Sequence, residues 1–230
     1  MKRPVRIAIP LAVLGSAAAA AAALGASIPI YTNAMSSTAA RGQLVHLGKR
    51  TCARGGGAGA LNVTVGKQSR ECQFRTPVVG ANLDITATTR LLAGTPSTIQ
   101  ARTFVAVSLR DGGNGQYQLA VFPKKGSFQL RRDVPPNADR TLLAKGKASG
   151  IKAVGKPNKL RLQAFPTATG ETNLTAFVNG KKLASVVDDA HTASTLTGRF
   201  STVSVGSATA AKGAAASFDD LTVAVPDPFG

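Results

Sequence analysis

Two cysteines, two histidines, two glutamates and a large excess of lysine and arginine are the groups here with chemistry to offer. Cys52 and Cys72 are the only thiols. An even cysteine count in an exported chain reads as a disulfide. Closing a loop of that size stabilises a fold by roughly 3 kcal/mol in the chain-entropy picture. His46 and His191 have no metal-ligand spacing to either cysteine, so zinc or redox chemistry is not expected. Glycoside hydrolysis needs two facing carboxylates, about 5–10 Å apart. Glu71 and Glu171 are remote in sequence, and Asp188–Asp189 and Asp219–Asp220 are adjacent pairs. Neighbours on a strand point to opposite faces, so no catalytic pair is legible. Asp111 and Asn114 offer oxygens to calcium, which takes about six to eight, so two residues alone do not make a site and a hairpin turn is the plainer reading. No cofactor other than calcium is expected. The string RGGGAG at 54–59 lacks the Gly-Lys-Ser/Thr of a phosphate loop and reads as a flexible loop inside the disulfide ring.

The concentrated feature is positive charge. The formal net charge is +17. Between Lys124 and Arg161 there are eleven basic residues, opposed only by Asp133 and Asp139. Such a surplus attracts polyanions of any kind. Arg131, Lys145, Lys147, Lys159 and Arg161 are the candidate anion- or glycan-binding residues, with Tyr117 as a candidate stacking ring. A solvated outer sheet face that resists edge-to-edge aggregation is the plainer alternative. Nucleic acid is not expected, because stacking aromatics are scarce at 5% and Trp is absent.

These residues need a scaffold, and the sequence describes one. Lys2, Arg3 and Arg6 head an uncharged apolar stretch from Ile7 to Ile30. That is the pattern of a secretory signal, and its length also suits a retained membrane anchor. The chain divides into a signal peptide or anchor helix (1–30), a Ser/Thr/Ala-rich linker (31–50), one domain (51–226) and a tail (227–230). The domain is expected outside the cytoplasm, secreted or held by a single span. Within it, period-two runs recur: Phe104–Leu109, Tyr117–Val121, Phe128–Leu130, Leu160–Leu162, Leu174–Val178, Val203–Val205 and Leu221–Val225. Gly, Pro and Asn turns separate them, among them Asn179-Gly180, which favours a tight hairpin. Short alternating strands with such turns predict an all-β antiparallel sandwich.

The segments QYQLAV (116–121), FQLRR (128–132), LAKG (143–146), NKLRL (158–162), LTAFVNG (174–180) and FDDLTV (218–223) follow one another in an informative order. That order resembles concanavalin A-like jelly-roll domains of the laminin-G-like kind. The resemblance implies an antiparallel jelly-roll sandwich and a place among lectins, glycan hydrolases and binding modules. The glucanase motif of that fold, Glu-x-Asp-x-x-Glu, has no match here. The expectation is a non-catalytic extracytoplasmic module for an anionic cell-envelope polymer or glycan. The alternatives are a glycan-processing enzyme of the same fold, or a structural or sensory ectodomain for a protein partner.

Overall fold

A computed structural model of the chain describes residues 27–47, 52–57, 59–66, 70–112, 115–134, 139–189, 196, 198–207 and 211–226. Residues 1–26 of the expected signal peptide or anchor helix, the tail, His191 and Asn114 lie outside them. The elements in chain order are β1 (Ser27–Asn33), α1 (Thr38–Gly42), β2 (Val45–Leu47), β3 (Cys52–Gly57), β4 (Ala60–Val65), β5 (Glu71–Val79), β6 (Leu83–Leu91), α2 (Ser97–Gln100), β7 (Thr103–Gly112), β8 (Gly115–Phe122), β9 (Ser127–Val134), β10 (Asp139–Lys147), β11 (Asn158–Pro166), β12 (Thr172–Val178), β13 (Lys181–Asp188), β14 (Phe200–Ser207) and β15 (Ala215–Pro226). Among the described residues no helix is long and apolar enough to cross a membrane.

The strands form two antiparallel sheets. The eight-stranded sheet runs β13-β12-β11-β6-β15-β4-β3, with β1 also paired to β15. The seven-stranded sheet runs β10-β9-β8-β7-β14-β5-β2. Alternation builds the core between them. Ile85, Leu160, Leu162, Leu174, Phe218 and Val223 face inward from one sheet, and Val105, Val107, Leu119, Val121, Leu130 and Val203 from the other, all fully buried. The hairpin predicted at Asn179-Gly180 joins β12 to β13. Both residues take positive φ, 49° and 79°, as a twist-matched two-residue turn requires.

Residues 31–47 are not a linker. Residues 27–33 are the strand β1, in register with Leu221–Pro226 of β15, and Val45–Leu47 pair with β5. The first four residues of β1 end the uncharged stretch expected as a leader, so 27–30 belong to the sandwich instead; composition does not show this because β1 adds to a sheet through its backbone. Likewise Arg54–Gly57 are not a loop: they pair with Ala60–Val63 as an edge strand. Glycine there leaves room for the Arg41 guanidinium, which lies where a Cβ on Gly56 would sit.

Candidate functional site

The five basic residues singled out from sequence fall on two different faces. Arg161 and Lys159 project outward from β11 on the eight-stranded sheet, while Leu160 and Leu162 face the core. Arg131, Lys145 and Lys147 project outward from β9 and β10 on the seven-stranded sheet. Tyr117 is on neither face. It shares the inward set of β8 with Leu119 and Val121, is 0% exposed, and donates its hydroxyl to Asp188 Oδ2 at 2.7 Å. Period two settles this: the outward residues of that strand are Gln116, Gln118, Ala120 and Phe122.

A hollow of about 420 Å³ opens on the eight-stranded sheet, lined by Ser27, Asp84, Thr86, Lys159, Arg161, Phe177 and Thr222 among others. Strand register places its parts. Thr222, Thr86, Arg161, Phe177 and Lys182 stand side by side on β15, β6, β11, β12 and β13. Asp84, one pleat along, is 3% exposed. It accepts from Ser27 Oγ at 2.9 Å, Arg161 Nε at 2.9 Å and Gln163 Nε2 at 3.1 Å, and Arg161 Nη2 completes a two-pronged ion pair. The guanidinium so held lies 5.3 Å from the Phe177 ring centroid. Phe177 is half-buried and Lys159 and Lys182 are exposed. The hollow therefore offers an apolar ring, two threonine hydroxyls, a fixed guanidinium and the exposed Lys159, with the exposed Lys182 opposite Phe177 in register. Asp84 is spent on holding Arg161, so the accessible charge is positive.

The outer face of the seven-stranded sheet is organised differently. Its centre carries small side chains, Ala106, Ser108, Ala120 and Ser204, all 0% exposed. Longer polar chains reach across them. Gln118 Nε2 donates to Glu71 Oε1 at 2.8 Å and to Ser108 Oγ at 3.3 Å, and Gln73 Nε2 donates to Gln116 Oε1 at 3.2 Å. Arg131 Nη2 donates to Gln118 Oε1, its Nε lies 3.3 Å from Asp133, and its guanidinium sits 4.8 Å from the Phe104 ring centroid. The Phe104 and Phe122 rings meet edge-on, 5.7 Å apart.

Among the described residues, Glu71, Asp111 and Asp133 bring carboxylates to this face. The Asp111 carboxyl is raised to about 6, chiefly by burial and further by Glu71, against the lowering effect of Arg75. The sequence hid this neighbourhood because β5 and β7 come together only through β14.

Cys52 and Cys72 form the expected disulfide. It joins β3, an edge of one sheet, to β5 of the other. His46 stands opposite Phe74 on β2, and its imidazole comes within 4.8 Å of both sulfurs. Sequence spacing gave no sign of that proximity, since sheet pairing creates it.

No family model matches the chain, and no curated protein matches it in sequence. Solved structures do match in fold. The carbohydrate binding module CBM66 from Bacillus subtilis is 11% identical with a TM-score of 0.58, covering 79% of this chain and 95% of its own. A Bacillus subtilis protein of unknown function with a galectin-like fold is 13% identical with a TM-score of 0.61, covering 87% and 98%. The kappa-carrageenase of Pseudoalteromonas carrageenovora, solved with a kappa-carrageenan oligotetrasaccharide, is 9% identical with a TM-score of 0.56, covering 90% and 98%. Two stacked antiparallel sheets, their topology and these matches show the fold: an antiparallel jelly-roll β-sandwich of the kind concanavalin A-like domains have.

Proposed function

We propose that the protein is an extracytoplasmic glycan-binding module, and that it takes an acidic saccharide in the hollow on the eight-stranded sheet. The observation that carries this reading is the clamped Arg161 beside the half-buried Phe177 ring, with the exposed Lys159 in the lining and the exposed Lys182 opposite Phe177 in register. A sugar ring offers a C–H face to an aromatic ring, hydroxyls to threonines, and a carboxylate or sulfate to a guanidinium. Pre-organisation matters here. Asp84 and its donors fix Arg161 before any ligand arrives, which lowers the ordering cost of binding. The sandwich neighbours include a carbohydrate-binding module and a carrageenan-bound enzyme, which fits this reading at the level of fold. The disulfide fits an oxidising compartment, whether the chain is secreted or held at a membrane by its leader.

Titration calorimetry with an acidic oligosaccharide such as hexagalacturonate, in 150 mM salt, tests it. Phe177→Ala leaves the charge unchanged and is expected to abolish binding at this hollow. Unaltered binding there overturns the reading.

A second reading, glycan cleavage, is favoured by one observation. Asp111, with its raised carboxyl, shares a face with Glu71 and Asp133. That reading requires turnover of a glycan that vanishes in Asp111→Asn. Binding without turnover leaves the first reading standing.

A further inference from the structure

The opposite face of the sandwich holds a second concentration of cationic groups. A depression of about 380 Å³ lies toward the β10 edge of the seven-stranded sheet, lined by Arg102, Phe104, Phe122, Lys125, Arg131 and Leu142 among others. Its floor is built. Phe104 and Phe122 pack edge-on, and Ala106 and Ala120 close with them into a small apolar cluster separate from the main core. Arg131 is 4% exposed and spans that floor, fixed by Gln118 and Asp133 and resting on Phe104.

The rim is cationic and accessible. Arg102, Lys125, Lys145 and Lys147 are all exposed. Register puts Lys145 beside Gln129 and Lys147 beside Ser127, so both ammonium groups stand on the outer face next to the depression. Leu142, opposite Arg131, is 41% exposed and adds an apolar edge. Asp133, the nearest carboxylate on β9, is engaged by Arg131. Two exposed cations in the lining, Arg102 and Lys125, and two more beside it on β10, Lys145 and Lys147, around an apolar floor favour repeating anionic groups on a chain with apolar C–H surface, which describes an acidic polysaccharide.

We propose that this edge is a second binding site, for another segment of the same acidic polymer, so that one molecule bridges two polymer chains from opposite faces. The proposal rests on the reading above for its ligand class, and its residues are wholly different. Two sites facing apart cannot both be filled by one short oligomer. Bridging is therefore the expected outcome with long chains, and two independent equivalents with short ones.

The experiment is calorimetry with hexagalacturonate in 150 mM salt, paired with light scattering on long polygalacturonate. Wild type is expected to bind two equivalents and to raise scattering through cross-linking. Lys145→Gln/Lys147→Gln is expected to bind one equivalent and lose the scattering. Phe177→Ala is expected to do the same through the other face. Lys152→Gln/Lys156→Gln removes the same charge from the exposed loop between β10 and β11 and is expected to keep both equivalents. Thermal melting confirms that each variant is folded.

One equivalent in wild type, lost in Phe177→Ala and indifferent to Lys145→Gln/Lys147→Gln, overturns this proposal and leaves the first reading intact. One equivalent lost only in Lys145→Gln/Lys147→Gln overturns the first reading and retains this face as the site, without bridging. An equal loss in the loop control shows only general charge attraction and overturns the second site. No binding at all overturns both.

Discussion

Asp84 shows how a single carboxylate sets up the hollow on the eight-stranded sheet. Its side chain is 3% exposed and saturated by donors from β1 and β11. Replacing it with Asn removes the counter-charge and frees the guanidinium, whose side chain keeps 38% exposure. Solvent screening limits the cost, so Asp84→Asn is expected to lower stability by about 1–2 kcal/mol in urea unfolding. Its affinity for acidic sugar should fall further than that stability loss explains, because Arg161 is no longer held over Phe177. Asp111 makes a different prediction. Its folded carboxyl titrates at about 6 against an ordinary 3.8, chiefly because it is buried. The folded chain thus binds this proton more tightly than the unfolded chain does. The associated stability is fully present below about pH 3.8 and is lost as pH rises through about 6. The interval from 3.8 to about 6 corresponds to about 3 kcal/mol. Asp111→Asn should therefore raise the melting temperature at pH 7.5 and change it little at pH 3.5. Equal effects at both pH values would assign the change to packing rather than charge.

At the scale of elements, an irregularity in β7 decides where two faces meet. The β7–β8 register shifts between Leu109 and Gly112, and Arg110 takes φ 53° there. The turned backbone sends Arg110 inward, where Nη1 donates to Thr172 Oγ1 at 2.8 Å. Gly198 is what lets the bulge close. A Cβ on it would meet the Arg110 carbonyl oxygen at 2.0 Å, backbone that cannot step aside. Gly198→Ala is expected to cost about 1–3 kcal/mol, read from denaturant midpoints. The last residue of β13 acts across the sheets. Asp188 accepts from Tyr117 of β8 at 2.7 Å and from Arg132 Nη1 of β9 at 2.7 and 3.0 Å. It ties the edge of one sheet to the other, and its removal leaves Arg132 and a buried phenol facing each other. Asp188→Ala should destabilise by about 3–4 kcal/mol. A loss below 1 kcal/mol would show that the tie is incidental.

For the whole molecule, the disulfide matters because of which elements it joins. Cys52 lies on β3 and Cys72 on β5, so the bond staples the two sheets at one edge. The other edge is held by Asp188 instead. With a sequence separation of 20, loss of the bond should cost about 3 kcal/mol, measured as the midpoint difference between oxidised and reduced protein. The two cationic faces and the +17 charge also predict that affinity for acidic polymers falls with salt. The part that survives at high salt belongs to the ring contacts.

Local pattern was enough for much of this architecture. The central strands β7, β8, β9, β11, β12, β14 and β15 were legible because period two is a property of consecutive residues, and the Asn179-Gly180 turn because its backbone demands those residue types. The disulfide followed from cysteine count and compartment. What local pattern could not carry was anything made by pairing. The β1 strand straddles the end of the apolar leader stretch and the start of the linker, and is not legible there because its bonds go through backbone to β15; the glycine strand β3 is hidden for the same reason. The basic residues are concentrated along the chain and share a face only if β10 and β11 are neighbours, yet the crossover from β10 to β11 changes sheets and sends them to opposite faces. Tyr117 shares the inward alternation of Leu119 and Val121, which denies it the surface place a stacking ring needs. Alternation turns Phe177 outward, but only the pairing of β11 with β12 puts it beside Arg161. Sequence determined that there would be a sandwich with a cationic exterior. Only the tertiary fold decided which cations share a face with an aromatic ring, because strand order, not chain order, sets neighbours in a sheet.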